Sequence, residues 1–135
     1  MRRTLVHVLA AGFSLVGLSI PLLAHHSFAA EYDRAKSITL TGTVTKVEWM
    51  NPHVYFYMDV KDQDGKVTNW ALELSNPAGL YLRGWKKEAL KIGGAATIAG
   101  SLAKDGSNRV NASTVTLEGK RLFAGSSGED GYDGK

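Results

Sequence analysis

From Ile38 onward, apolar and polar residues alternate with a period of two. Ile38, Leu40, Gly42 and Val44 fall on one side, and Thr39, Thr41, Thr43 and Thr45 on the other. Such alternation, rich in β-branched residues, is the signature of a half-buried strand. The phase slips at the next apolar pair, Val47 and Trp49, and a bulge near Thr45 and Lys46 accounts for the slip and bends the strand. Asn51-Pro52 punctuates its end. A second strand is predicted from His53 to Val60. Val54, Phe56, Met58 and Val60 share one face, and His53, Tyr55, Tyr57 and Asp59 the other. Asp62-Gln63-Asp64-Gly65 reads as a hairpin turn into a third strand, Val67 to Leu74. Thr68, Trp70, Leu72 and Leu74 make its apolar side, with Asn69, Ala71 and Glu73 opposite.

Ser75-Asn76-Pro77 is a helix start, a capping residue followed by proline in the first turn. The helix, Ala78 to Arg83, is short, and one further turn is expected over Lys86 to Leu90. Strands follow over Ala95 to Ala103 and Arg109 to Leu117, with a short last strand over Arg121 to Ala124. Three strands, a helix and two strands is the order of the OB-fold, a five-stranded Greek-key barrel. The expected class is therefore all-β with one short helix, an OB-fold-like barrel over residues 38–124. An open sandwich or half-barrel with the same order is the alternative.

The ends differ from the middle. Arg2 and Arg3 precede an apolar run from Leu5 to Leu23, and Pro21 sits just ahead of Ala24. A positive start, an apolar stretch and a small residue at the cut mark a secretory signal peptide, so residues 1–24 are expected to be removed. Ser27-Phe28-Ala29 also fits the cleavage pattern, and an uncleaved anchor is the other alternative. Residues 25–37 read as an extended N-terminal arm. From Gly125 onward the chain is mostly Gly, Ser and acidic residues, and residues 125–135 are expected to be a disordered tail.

Composition narrows the class further. Removal of 24 residues from 135 leaves 111, enough for one modest core. With no cysteine there is no disulfide and no lipid-attachment site, so a periplasmic or secreted protein free of the membrane after cleavage is expected. The net charge of +3 falls to +1 without Arg2 and Arg3. A charge that small supplies no clustered basic face, and on this ground nucleic acid is expected to be excluded as a partner.

His-His-Ser-Phe-Ala-Ala-Glu-Tyr-Asp at 25–33, Thr41-Gly42-Thr43-Val44, and Val47-Glu48-Trp49-Met50-Asn51-Pro52-His53 resemble the motifs of a family of small exported bacterial proteins of unknown function. Asn69-Trp70-Ala71-Leu72-Glu73, Gly84-Trp85 and Lys104-Asp105-Gly106-Ser107 continue the likeness over nearly all of the chain after residue 24. The resemblance implies export and an OB-like barrel, and includes the His-His start in its pattern. It implies no activity.

Two constellations carry candidate chemistry. Cleavage after Ala24 would free the amine of His25, which with its own imidazole and His53 offers the three-nitrogen, brace-like array that suits Cu(II), with His26 as a helper. Copper is the one cofactor these residues point to. The alternative is a solvated His-His end and a turn histidine in Asn-Pro-His. The second constellation is the outward face of strands two and three, Tyr55, Tyr57, Asn69 and Glu73, with Trp49 and Asn51 nearby. In OB-folds this face, with its flanking loops, is the common ligand platform, and the partner expected for this chain is a small molecule or an envelope protein. Alternatively these tyrosines cover the barrel against the arm, or form ordinary cross-strand pairs. No catalytic residues are expected: no serine-histidine-acid set, phosphate-cradling glycine loop or cysteine nucleophile is present. The chain therefore reads as a binding module rather than an enzyme.

Overall fold

The computed structural model describes residues 28–125. One turn of helix, α1 (Phe28–Glu31), leads into a 17-residue strand, β1 (Tyr32–Glu48). Then come β2 (Tyr55–Lys61), β3 (Val67–Glu73), helix α2 (Pro77–Leu82), a 3-10 turn (Lys87–Ala89), β4 (Ala95–Ala103), β5 (Arg109–Leu117) and β6 (Lys120–Phe123). The strands run in the order β3-β2-β1-β4-β5-β6. A parallel pairing of Ala71, Leu72 and Glu73 with Arg109, Val110 and Asn111 joins β3 to β5 and closes the sheet. This is an OB-fold-like, all-β barrel with few short helices.

Closure depends on how β1 bends. Its C-terminal part, from Thr43, pairs with β2, and its N-terminal part, up to Thr43, pairs with β4. The register with β2 shifts between Val44 and Lys46, where the slip in apolar phase predicts a bulge. Backbones also pass very close at two glycines. A Cβ on Gly42 would stand 2.3 Å from the carbonyl oxygen of Asp59, and one on Gly100 2.1 Å from that of Asn111, so only glycine fits.

Inside lie Val44, Val54, Phe56, Met58, Leu72, Leu74, Ile98, Val110 and Val115. Helix α2 plugs the barrel. The Asn76 side chain accepts the Gly79 N–H at 2.7 Å, Pro77 starts the helix, and Leu80 is fully buried. Trp85 packs beneath it and donates its indole N–H to the Phe123 carbonyl at 2.7 Å. On β2, Phe56 and Met58 point inward while Tyr55 and Tyr57 point outward, the phase expected from the alternation.

Two boundaries are corrected. The segment expected to be an arm up to Ser37 is part of the fold: α1 caps its start and β1 begins at Tyr32. Polar composition concealed this, because Tyr32 pairs with Ala103 and Asp33 with Leu102 before the register with β4 breaks until Ser37. Gly125, assigned to the tail, is buried, and its N–H reaches the Ser113 carbonyl at 3.4 Å. The expected removal of residues 1–24, and the tail from Ser126, lie outside the described residues.

Candidate functional site

The site is built on the outer surface of β2 and β3, whose register brings Tyr55 opposite Glu73, Tyr57 opposite Ala71 and Asp59 opposite Asn69. One end of this face is closed. Glu73 is only 8% exposed although it faces away from the core. A carboxylate removed from water needs partners, and its Oε2 accepts two phenol hydroxyls, from Tyr32 at 2.6 Å and Tyr55 at 2.5 Å. Burial first, then the hydrogen bond to Glu73 and its charge, push both phenols far above the usual tyrosine range. Tyr32 is 2% exposed. The guanidinium of Arg109, brought alongside by the β3–β5 closure, lies 5.7 Å from the centre of the Tyr32 ring and 3.5 Å from Glu31.

The N-terminal segment thus roofs this end. The Phe28 ring stands 5.7 Å from that of Tyr32, Arg34 lies over Phe28, and Lys104 ties the segment down. Its amide donates to the Glu31 carbonyl at 2.8 Å and its ammonium to that of Ala29 at 2.6 Å.

His53 borders the closed end. Its Nδ1 donates to the Leu74 carbonyl at 3.2 Å and lies 3.8 Å from Oε1 of Glu73. A carbonyl can only accept, so a proton sits on Nδ1, and in the neutral ring the lone pair then belongs to Nε2. This is the orientation that prepares a histidine for a metal. Among the described residues no cluster of three or more histidine, cysteine or carboxylate side chains could hold an ion. His25 and His26, the other nitrogens expected at a copper site, lie outside the described residues.

The other end is open. Tyr57 donates to Glu48 at 3.0 Å, and Glu48 in turn accepts from Lys46 at 2.5 Å. The lysine ammonium rests 5.1 Å from the centre of the Tyr57 ring. The hydrogen bond that Glu48 accepts from Lys46, then that from Tyr57, holds its carboxyl below the ordinary range. Asn69 donates to Asp59 at 2.7 Å and to Thr45 at 3.2 Å. These side chains offer rings, carboxylates, an amide and an ammonium to solvent.

Of the residues expected at the platform, the fold brings Tyr55, Tyr57, Asn69 and Glu73 to one face, with His53 at its edge. Trp49 is elsewhere. Its ring packs 5.6 Å from that of Tyr81 and 6.5 Å from that of Trp85, because the bulge and the strand end turn it toward α2. Asn51 is exposed in the loop beyond, before the cis Asn51-Pro52 peptide. Sequence reasoning missed Tyr32, Arg109, Lys46 and Glu48 as site residues. The register between β1 and β2, set by the bulge, is the signal that could have placed Lys46 and Glu48 beside Tyr57 and Tyr55. Nothing local marks Tyr32 or Arg109, which arrive through long-range folding.

The sequence profile of a protein family of unknown function, DUF6152, matches residues 11–112. The chain belongs to this family. No curated protein matches the sequence. Among solved structures, a mitochondrial single-stranded DNA-binding protein of S. cerevisiae is similar over 67% of this chain and 96% of its own, at 9% identity and a TM-score of 0.47. The N-terminal domain of PriB from Thermoanaerobacter tencongensis, a dimeric structure, is similar over 62% and 96%, at 15% identity and a TM-score of 0.42. At these identities the likeness concerns fold alone. The exclusion of nucleic acid drawn from net charge does not stand, because overall charge describes no single face; a single-stranded DNA-binding protein is among the solved structures of similar fold.

Proposed function

We propose that this member of the family is an exported, periplasmic or secreted binding module that holds its ligand, a small molecule or an envelope protein, on the open end of the β2/β3 face. One observation carries the reading. Tyr57, Lys46, Glu48, Asn69 and Asp59 converge on one outer surface while the core forms without them. Rings beside paired donors and acceptors suit ligands with both flat and polar parts. The test is a nuclear magnetic resonance titration of the labelled protein with short peptides, oligosaccharides and single-stranded oligonucleotides. The reading expects saturable shifts at Lys46, Tyr57 and Asn69 that vanish in Tyr57→Ala. Shifts confined to another surface would refute it.

Export with cleavage after Ala24 is supported by the way residues 28–31 are built into the fold. A cut after Ala29 would remove Phe28 and the carbonyl that Lys104 holds. Mass spectrometry of material exported by its own host checks this, and a first residue of Ala30 would contradict it.

A second reading, copper binding through His25 and His53 with His26 as helper, is favoured by the bond from His53 Nδ1 to the Leu74 carbonyl, which in the neutral ring makes Nε2 the nitrogen that can take a metal. It is also favoured by the return of the chain at Phe28 to the face that His53 borders, within a few residues' reach of His25. Electron paramagnetic resonance with Cu(II) decides it: a spectrum unchanged in His53→Ala would leave the terminus alone as the ligand.

A further inference from the structure

Away from the β2/β3 face, the barrel carries an apolar tip. Helix α2 ends on Tyr81 and Leu82, which are 52% and 90% exposed, and Met50 in the β1–β2 loop is 57% exposed. The Trp49–Tyr81 ring contact at 5.6 Å joins the two segments into one surface. Folding leaves these side chains in water at a cost, since each forgoes the gain of leaving it. Within the same tip the indole N–H of Trp49 is buried from solvent and has no hydrogen-bond partner among the described residues. Immediately after α2 the chain turns at Gly84 and presents Lys86 and Lys87, both exposed; Arg83 beside them donates to the Gly125 carbonyl, and of the acids close by, Glu88 and Glu118, the latter pairs with Lys91 at 3.2 Å.

We infer that this tip docks on an anionic lipid surface. Leucine, methionine and tyrosine would enter the interfacial layer, and the two lysines would meet the headgroups. The pattern is that of an interfacial contact: a few protruding apolar groups including aromatic rings, bordered by cations. A second copy of the chain is a poorer occupant. Stable interfaces recruit roughly 20–30 residues a side, and this tip supplies only a handful. The docking is a surface contact and needs no spanning segment; none of the described helices is long and apolar enough to cross a membrane.

The test uses the chain from His25, which keeps the barrel of residues 28–125 with its own core and omits the apolar run of residues 5–23, which would bind lipid by itself. Co-sedimentation is measured with vesicles of phosphatidylglycerol and phosphatidylcholine, and with phosphatidylcholine alone. The wild type is expected to bind the anionic vesicles, less tightly as salt rises. Leu82→Glu should weaken partitioning about tenfold or more, the loss expected when one large apolar side chain no longer leaves water. Lys86→Gln with Lys87→Gln should remove the preference for anionic over neutral vesicles. The thermal midpoint of each variant confirms folding, and Met50→Glu serves as an independent substitution on the other segment of the tip. No sedimentation of the wild type, or equal sedimentation of Leu82→Glu and Met50→Glu, overturns the proposal. So does a dimer in analytical ultracentrifugation that Leu82→Glu abolishes while vesicles are ignored, which would give the tip to a second copy.

Discussion

The two ends of the β2/β3 face use similar residues to opposite effect. At the closed end, Tyr55 and Tyr32 converge on Glu73 beneath the N-terminal segment. At the open end, Tyr57 meets Glu48 and Lys46 with nothing over them among the described residues. The closed end sets two phenols, and the open end one, on a carboxylate from another strand. What differs is the roof. Burial turns the first set into a strut that must be satisfied internally, and its absence leaves the second set free to exchange its internal bonds for a ligand's.

The largest expected effect lies at the closed end. Glu73→Ala leaves two phenols, Tyr32 buried and Tyr55 half-buried, without an acceptor and should lower unfolding free energy by about 3 kcal/mol in urea titrations, since each donates a hydrogen bond to a charged group. Tyr57→Ala, in the open half, should cost much less. Equal losses would erase the distinction. Tyr32→Phe keeps the ring and removes one donor, so a loss of about 1.5 kcal/mol is expected, together with faster hydrogen exchange at the Lys104 amide.

Alkali should also separate the two ends. The folded-state phenol pKa values of Tyr32 and Tyr55 lie above the ordinary value, so their contribution is complete below the unfolded pKa of about 10 and is lost as pH rises beyond it. Thermal midpoints should fall steeply above that pH, and less steeply in Tyr32→Phe. Tyr57 is raised too, chiefly by burial and then by its bond to Glu48, but it is more open and should contribute less to the slope. The smallest effect is expected for Asn69→Ala, within about 0.5 kcal/mol of wild type, because its partners Asp59 and Thr45 return to water. Its consequence should appear in ligand-induced shifts instead.

The barrel was legible because its information is local. Alternation from Ile38 to Val44 and from Val54 to Val60, the slip after Thr45 and the Asn76-Pro77 start each follow from residues a few positions apart. The outward set of Tyr55, Tyr57, Asn69 and Glu73 followed from the same alternation. The closed end did not. Tyr32 meets Glu73 across 41 positions, and Arg109 reaches Tyr32 through a parallel pairing that no periodicity announces. A polar segment such as 28–37 looks like a free arm until the acceptor it covers is known. Trp49 misled for a related reason: the bulge that its phase betrayed also turned it away from the face it was assigned to.

The division of this face rests on the N-terminal segment lying over Glu73. Nuclear Overhauser spectroscopy of the chain from His25 measures that directly. Cross-peaks between the ring protons of Tyr32 and Tyr55, whose hydroxyls share one carboxylate oxygen, are the result the account predicts. A Tyr32 ring with no contact to Tyr55 would contradict it.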